Sequence, residues 1–255
     1  MKLLAVALNT FREAIRNKIL YSLVFFAALV VAIASVLGAV SIGDQTKFIK
    51  DFGLMSISLF GMVIAIVLGV NLLSKELEKK TILNILSKPV ARWEFISGKF
   101  LGLFGTLALV VALMSVGLVG FLMLFEGRID WGLVLASGTT LLELMVVIAF
   151  ALFFSAIVVT PTLAGLFTAA MFVVGRSSGY LHYFLDKDHS HSIRVLAQGL
   201  YWVVPHLDRF SIADQVVYGD KVDVGYLIAI FAYAVSYSAV LLLLTIALFS
   251  RREFT

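Results

Sequence analysis

One carboxylate stands well inside an apolar run: Glu143, within Thr139-Thr-Leu-Leu-Glu-Leu-Met-Val146. An ionised side chain facing lipid at that depth costs about 2.5–3.5 kcal/mol on insertion scales, so Glu143 must face a bundle interior, a partner subunit or water. Two roles fit it: a charge on a transport or coupling path, or a hydrogen bond to a neighbouring helix. A second concentration of reactive types is His182, Asp186, Asp188, His189 and His191. These are side chains that hold zinc or copper(II), but their spacing matches no established ligand pattern, and a solvated outer loop is the simpler account. The sequence has no GxxxxGK[ST] phosphate loop, no HExxH, no Ser/His/Asp set and no paired intramembrane acids. It therefore offers no ATP site of that kind and no visible enzyme chemistry, so any ATP dependence must come from another chain.

The elements that position these residues are apolar. Of 255 residues 61% are hydrophobic and 14% charged, and the mean hydropathy is +1.04. Soluble domains run near 45–50% apolar and about 25% charged, so the composition is that of an integral membrane protein. The absence of cysteine excludes disulfides and thiolate chemistry. A net charge of +4 could suggest nucleic acid, but the bases flank apolar runs instead of forming a patch, and no nucleic-acid partner is expected. No small-residue cleavage site follows a short apolar region near Met1, so the first helix is expected to be retained.

Runs long enough to cross a bilayer fall at about 19–40, 54–73, 100–125, 132–159 and 226–249. A sixth, 162–181, is shorter, with a clean core from Thr162 to Gly175 before Arg176. Parity supports it, because six spans put Lys2, Arg12, Arg16, Lys18, Arg251 and Arg252 on one side together with the basic 74–99 loop. That side carries the larger share of Lys and Arg and is expected to be cytoplasmic. The expectation is an all-α membrane protein forming a single domain over 1–255, with an extracytoplasmic segment at 182–225. Glycines such as Gly38, Gly61, Gly69, Gly102, Gly105, Gly117 and Gly120 are read as close-packing positions.

Residues 2–18 form an amphipathic helix, with Leu4, Leu8, Phe11 and Ile15 on one face and Lys2, Arg12, Glu13 and Arg16 opposite. Such a helix lies in the headgroup plane as an anchor, or acts as an elbow that also touches a cytoplasmic partner. Residues 193–204 are too apolar for a linker and too short to span, which suggests a re-entrant or interfacial segment ended by Pro205.

The 74–99 loop is longer and more polar than a connection needs. It holds Lys75, Lys79, Lys80, Lys88, Arg92 and Lys99, and reads as a docking element for something in the cytoplasm. On a helix over 76–87, Glu76, Lys80, Asn84 and Ser87 share a face, with Glu76 and Lys80 paired at i,i+4. Glu78 falls among the apolar set. Lys88-Pro89 ends the helix, after which Arg92, Trp93 and Lys99 anchor the next span at the interface.

Three features together resemble the permease subunits of type-2 ABC transporters. They are the lead-in Phe11-Arg-Glu-Ala-Ile-Arg-Asn-Lys-Ile-Leu-Tyr21, the loop from Glu76 through Leu86-Ser-Lys-Pro-Val90 and Arg92 to Gly98-Lys99, and six spans with a partly buried segment before the last. The subgroup it is most similar to is the short permeases associated with multicopper-enzyme maturation. The resemblance implies an elbow helix at Phe11, Arg12, Glu13 and Arg16. It also implies a coupling helix between spans 2 and 3, with Glu76, Glu78, Lys80, Thr81, Lys88, Pro89, Arg92 and Lys99 as coupling positions. By the same likeness, two copies, or this chain and a related one, pair with two cytoplasmic ATPase subunits that hold ATP and Mg. The chain would then be a non-catalytic exporter subunit in the inner membrane, both termini cytoplasmic, moving a hydrophobic or amphipathic substrate. The large extracytoplasmic domain of mechanotransmission-type relatives is missing, which argues against lipoprotein extraction. An ion-coupled secondary transporter or channel is the alternative, and a membrane-assembly scaffold a third.

Overall fold

The computed structural model describes residues 2–40, 45–78, 91–127, 129–158, 160–179 and 204–251, and those residues are helical or connecting, with no strand among them. In chain order the helices are α1 (Lys2–Ile15), α2 (Lys18–Val40), α3 (Gln45–Glu78), α4 (Arg92–Glu126), α5 (Trp131–Ile157) and α6 (Pro161–Arg176). A 3₁₀ turn (Leu207–Phe210), the short α7 (Ala213–Tyr218) and α8 (Val224–Arg251) follow. Five of these, α2, α3, α4, α5 and α8, are long and apolar enough to cross a membrane.

Local chemistry sets the ends. Asp130 caps α5, its Oδ1 accepting from the Gly132 N–H at 2.9 Å. Pro161 opens α6 at its first turn, where a missing N–H costs nothing. Gly127 closes α4 in the left-handed conformation at φ 67° and donates to the Met123 carbonyl.

Helix α5 is the centre of the bundle. About two-thirds of its apolar stretch is buried, against less than a quarter for α2 and α8. It packs against α3, α4, α6 and α8. Close approach to α3 needs Gly69, where a Cβ would come within 2.7 Å of the Ala151 Cβ. Small residues at such crossings let helices gain van der Waals contact where lipid gives no hydrophobic drive. Gly117 and Gly120 do not serve this purpose within the chain, because an added Cβ at either meets nothing within 4 Å.

Two ends of the bundle can be distinguished. At the near end lie α1, the end of α3, the start of α4, the connection between α5 and α6, and the end of α8. At the far end α3 and α5 begin and α7 packs against both.

The expected 162–181 span differs most. Helix α6 stops at Arg176 after 16 residues, about 24 Å at 1.5 Å per residue, short of the roughly 30 Å hydrocarbon core. The segment from 204 onward folds back over its end. Val204, Leu207, Phe210 and Ile212 are buried, and the 3₁₀ turn packs on α5 and α6. Gly175 admits this contact, since a Cβ there would lie 2.9 Å from Leu207 and from the Pro205 carbonyl. Asp208 is half-buried and accepts from the Ser178 hydroxyl at 2.6 Å. Residues 193–203 of the expected re-entrant segment lie outside the described residues.

The predicted 76–87 helix begins differently from expectation. Helix α3 runs unbroken to Glu78, so Glu76 and Glu78 stand on the spanning helix itself. Residues 79–90 lie outside the described residues.

Candidate functional site

Glu143 sits about halfway along α5 and is wholly buried. It is 14 residues before the helix end at Ile157, and Arg176 is 15 residues after Pro161. At 1.5 Å per residue these are about 21 and 22 Å, so the α5–α6 hairpin brings the two side chains to one depth. Arg176 grips the carboxylate with both arms of its fork: Nε donates to Oε1 at 2.9 Å and Nη2 to Oε2 at 3.1 Å. Nη2 also donates to the Ser58 hydroxyl of α3 at 3.1 Å, and that hydroxyl lies 3.5 Å from Oε2. The Arg176 guanidinium also stands 5.7 Å from the Phe172 ring centroid.

Three helices are thus tied at one point by a charge-assisted, bidentate pair, the strongest common form of hydrogen bonding. The pair answers the physical problem that Glu143 poses, and its partner was absent from the reading of the sequence. The signal was present: Arg176 ends the apolar core of its run, and counting helical rise from the connection at 158–160 places it beside Glu143.

The near end carries a second constellation, built around the roots of the charged 79–90 segment. Arg92, in the first turn of α4, donates through Nη1 to the Phe249 carbonyl at 2.8 Å and the Ser250 carbonyl at 2.6 Å. It therefore satisfies the last carbonyls of α8, which have no partner within their own helix. Lys99, two turns further on, is 2% exposed. Its Nζ donates to the Leu72 carbonyl of α3 at 3.0 Å and lies 5.4 Å from the Phe95 ring centroid. Lys99 therefore faces the bundle and not the headgroups, a correction to the interfacial anchoring expected of it. Trp93 is 53% exposed, as an interfacial aromatic should be.

Helix α1 lies against the same stretch of α4. Gly98 and Gly102, four residues apart, form the contact: a Cβ on Gly98 would come 2.8 Å from Val6, and one on Gly102 2.5 Å from the Ala7 carbonyl. Phe11 covers Gly105. Thr10 and Ala14 are buried in this seam, whereas Leu4 and Leu8 are exposed. The helix thus has three faces: small residues inward, leucines outward, and Arg12, Glu13 and Arg16 exposed on the rim. Two-way amphipathicity misses the small face, because Ala and Thr carry little hydrophobic signal. The Gly98-x-x-x-Gly102 spacing was the clue to it.

Of the predicted coupling positions, Arg92 and Lys99 stand two turns apart on α4 and bond different helices, α8 and α3, and Glu76 and Glu78 lie in the last turn of α3. Lys80, Thr81, Lys88 and Pro89 lie outside the described residues. So do the candidate metal residues His182, Asp186, His189 and His191, together with Asp188. Among the described residues, no group of three His, Asp or Glu side chains is placed to hold a metal ion.

No curated protein matches the chain. The model of a family described as "ABC-2 family transporter protein" matches residues 4–254, nearly the whole sequence. Together with the apolar helices, that match identifies a multi-pass membrane component of a transporter, and the chain belongs to the ABC-2 transporter family.

Proposed function

We propose that this chain is the permease half of an ATP-driven exporter, powered through its 76–99 segment by a separate cytoplasmic ATPase. The observation that carries the reading is the bonding of three spans, and the close packing of α1, at the roots of that segment. Arg92 joins α4 to α8, Lys99 joins α4 to α3, and Gly98 and Gly102 seat α1. A push on the segment between Glu78 and Arg92 would reach α1, α3, α4 and α8 through these contacts. Glu76, Glu78, Lys80, Thr81, Lys88 and Pro89 then face the ATPase, while Arg92 and Lys99 pass the displacement inward.

In this reading α6 and the folded-back 204–218 segment together make the sixth crossing, with both termini and the 76–99 segment cytoplasmic and the protein in the inner membrane. Two copies, or this chain and a related one, pair with two ATPase subunits that carry ATP and Mg. The lightly buried α2 and α8 offer faces to lipid or to a second permease. The substrate is hydrophobic or amphipathic. Kinship with the multicopper-enzyme-maturation permeases, carried by the 76–99 motif, is part of the reading. Proton exchange at Glu143 is disfavoured, because its carboxylate is matched by Arg176.

The test is purification from the native membrane in mild detergent, identification of what accompanies the chain, and assay of ATP hydrolysis with Glu76→Lys and Glu78→Lys. An ATPase that is lost or silenced by the reversals supports the proposal. No nucleotide-binding partner, with reversals that change nothing, overturns it in favour of an ion-coupled transporter.

A further inference from the structure

Two recesses meet at Trp131, at the far end of the bundle. The first, about 490 Å³, lies between the starts of α3 and α5 and the end of α7, with Lys47, Lys50, Asp130 and Tyr218 in its walls. The second, about 460 Å³, runs along α5 and α8 and is walled by apolar groups including Leu135, Gly138, Leu142 and Phe231. Each is of ligand-pocket size. Trp131 lines both and is 73% exposed.

The polar recess is built. Lys50 is 8% exposed and held by Asp130 at 2.9 Å, while Asp130 is itself fixed by capping α5. Lys47, one turn earlier, lies 5.9 Å from the Tyr218 ring centroid. Among the described residues two ammonium groups and one carboxylate line these walls. Exposed Trp and Tyr sit at headgroup level in membranes, so the recess lies at headgroup depth and the groove at acyl depth. An apolar groove alone selects nothing in a bilayer, since lipid tails are equally apolar; discrimination must come from the charged end.

We propose that this paired recess binds one anionic phospholipid, its phosphate against Lys47 and Lys50 and an acyl chain in the groove below Trp131. The site needs no ATPase and stands apart from the coupling reading.

The test uses the full chain in mild detergent, with native mass spectrometry after addition of phosphatidylglycerol, phosphatidylcholine with the same chains, or glycerol phosphate. Phosphatidylglycerol is retained over phosphatidylcholine, and Lys47→Gln with Lys50→Gln removes the preference, about fivefold per lysine. Asp130→Asn keeps the helix cap but removes the opposing charge, so it raises phosphatidylglycerol occupancy. Gly138→Leu, where a Cβ meets nothing within 4 Å, fills the groove and lowers it. Equal retention of the two lipids overturns the proposal. So does a preference that survives loss of both lysines, a fall with Asp130→Asn, or glycerol phosphate competing as well as the lipid. Should the double lysine variant fail to fold, the Asp130 and Gly138 variants decide alone.

Discussion

Replacing Arg176 with Met leaves Glu143 wholly buried and strips it of its two charge-assisted bonds at 2.9 and 3.1 Å. Removing one partner of a buried pair costs about 3–5 kcal/mol, because the other charge is left uncompensated. An ordinary interhelical hydrogen bond in a membrane protein averages only about 0.6 kcal/mol. The two magnitudes separate a structural ion-pair lock from an incidental contact. The partners are also unequal: the Arg176 side chain is 35% exposed and Glu143 is not exposed at all. Arg176 can turn toward polar surroundings when its partner is lost, so Glu143→Gln should cost less, on the order of 1–2 kcal/mol. Combining Arg176→Met with Glu143→Gln removes both charges together and should cost clearly less than the sum of the two singles. The assay is reversible unfolding of all four proteins in mixed micelles, with the coupling energy taken from the double-mutant cycle. The expected coupling is about 2–4 kcal/mol. Single variants that each cost under about 1 kcal/mol and simply add would refute a buried, uncompensated carboxylate and with it the three-helix tie.

The same pair bears on function: if Glu143→Gln transports at the full rate, its charge is structural and no ion exchanges there. Gly102→Val forces a side chain into the Ala7 carbonyl and Thr10; overpacking of this kind costs about 1–3 kcal/mol, and faster amide exchange across residues 2–15 would report that α1 has lifted. Arg92→Gln withdraws the cation from the carbonyls of Phe249 and Ser250, worth about 1.5–3 kcal/mol, and should loosen the last turn of α8, read by exchange at residues 247–251. Because the chain has no cysteine, single cysteines at Lys2 and Gly219 can be labelled with an impermeant maleimide; the six-crossing topology predicts labelling from opposite sides, and labelling from the same side excludes it.

Much of the bundle was legible because spans are long and uniformly apolar, and length is a signal that survives the loss of periodicity. Runs at 19–40, 132–159 and 226–249 correspond to α2, α5 and α8 with ends shifted by at most two residues, whereas α4 starts at Arg92, eight residues before the run at 100–125. Helix α3 starts at Gln45, earlier than its apolar run, because its polar first turns are held at the far end by Lys50 and Asp130. Such pairing joins residues distant in sequence and leaves no local trace. Likewise Glu143 announced a need for a partner without naming it, and Lys99 looked like an interfacial base until its carbonyl acceptor on α3 was in place. The short α6 was the hardest element, because whether a sixteen-residue, mostly apolar helix spans or stops depends on what covers its end, and that cover comes from residues after 204.

If force enters through the segment between α3 and α4, that segment touches the ATPase. A single cysteine at Glu78, carrying a short bifunctional cross-linker, tests it in native membranes. An adduct with a nucleotide-binding subunit is expected, with a yield that changes when ATP is trapped with vanadate. Adducts with no such subunit, alongside transport that runs on an ion gradient without ATP, would contradict it.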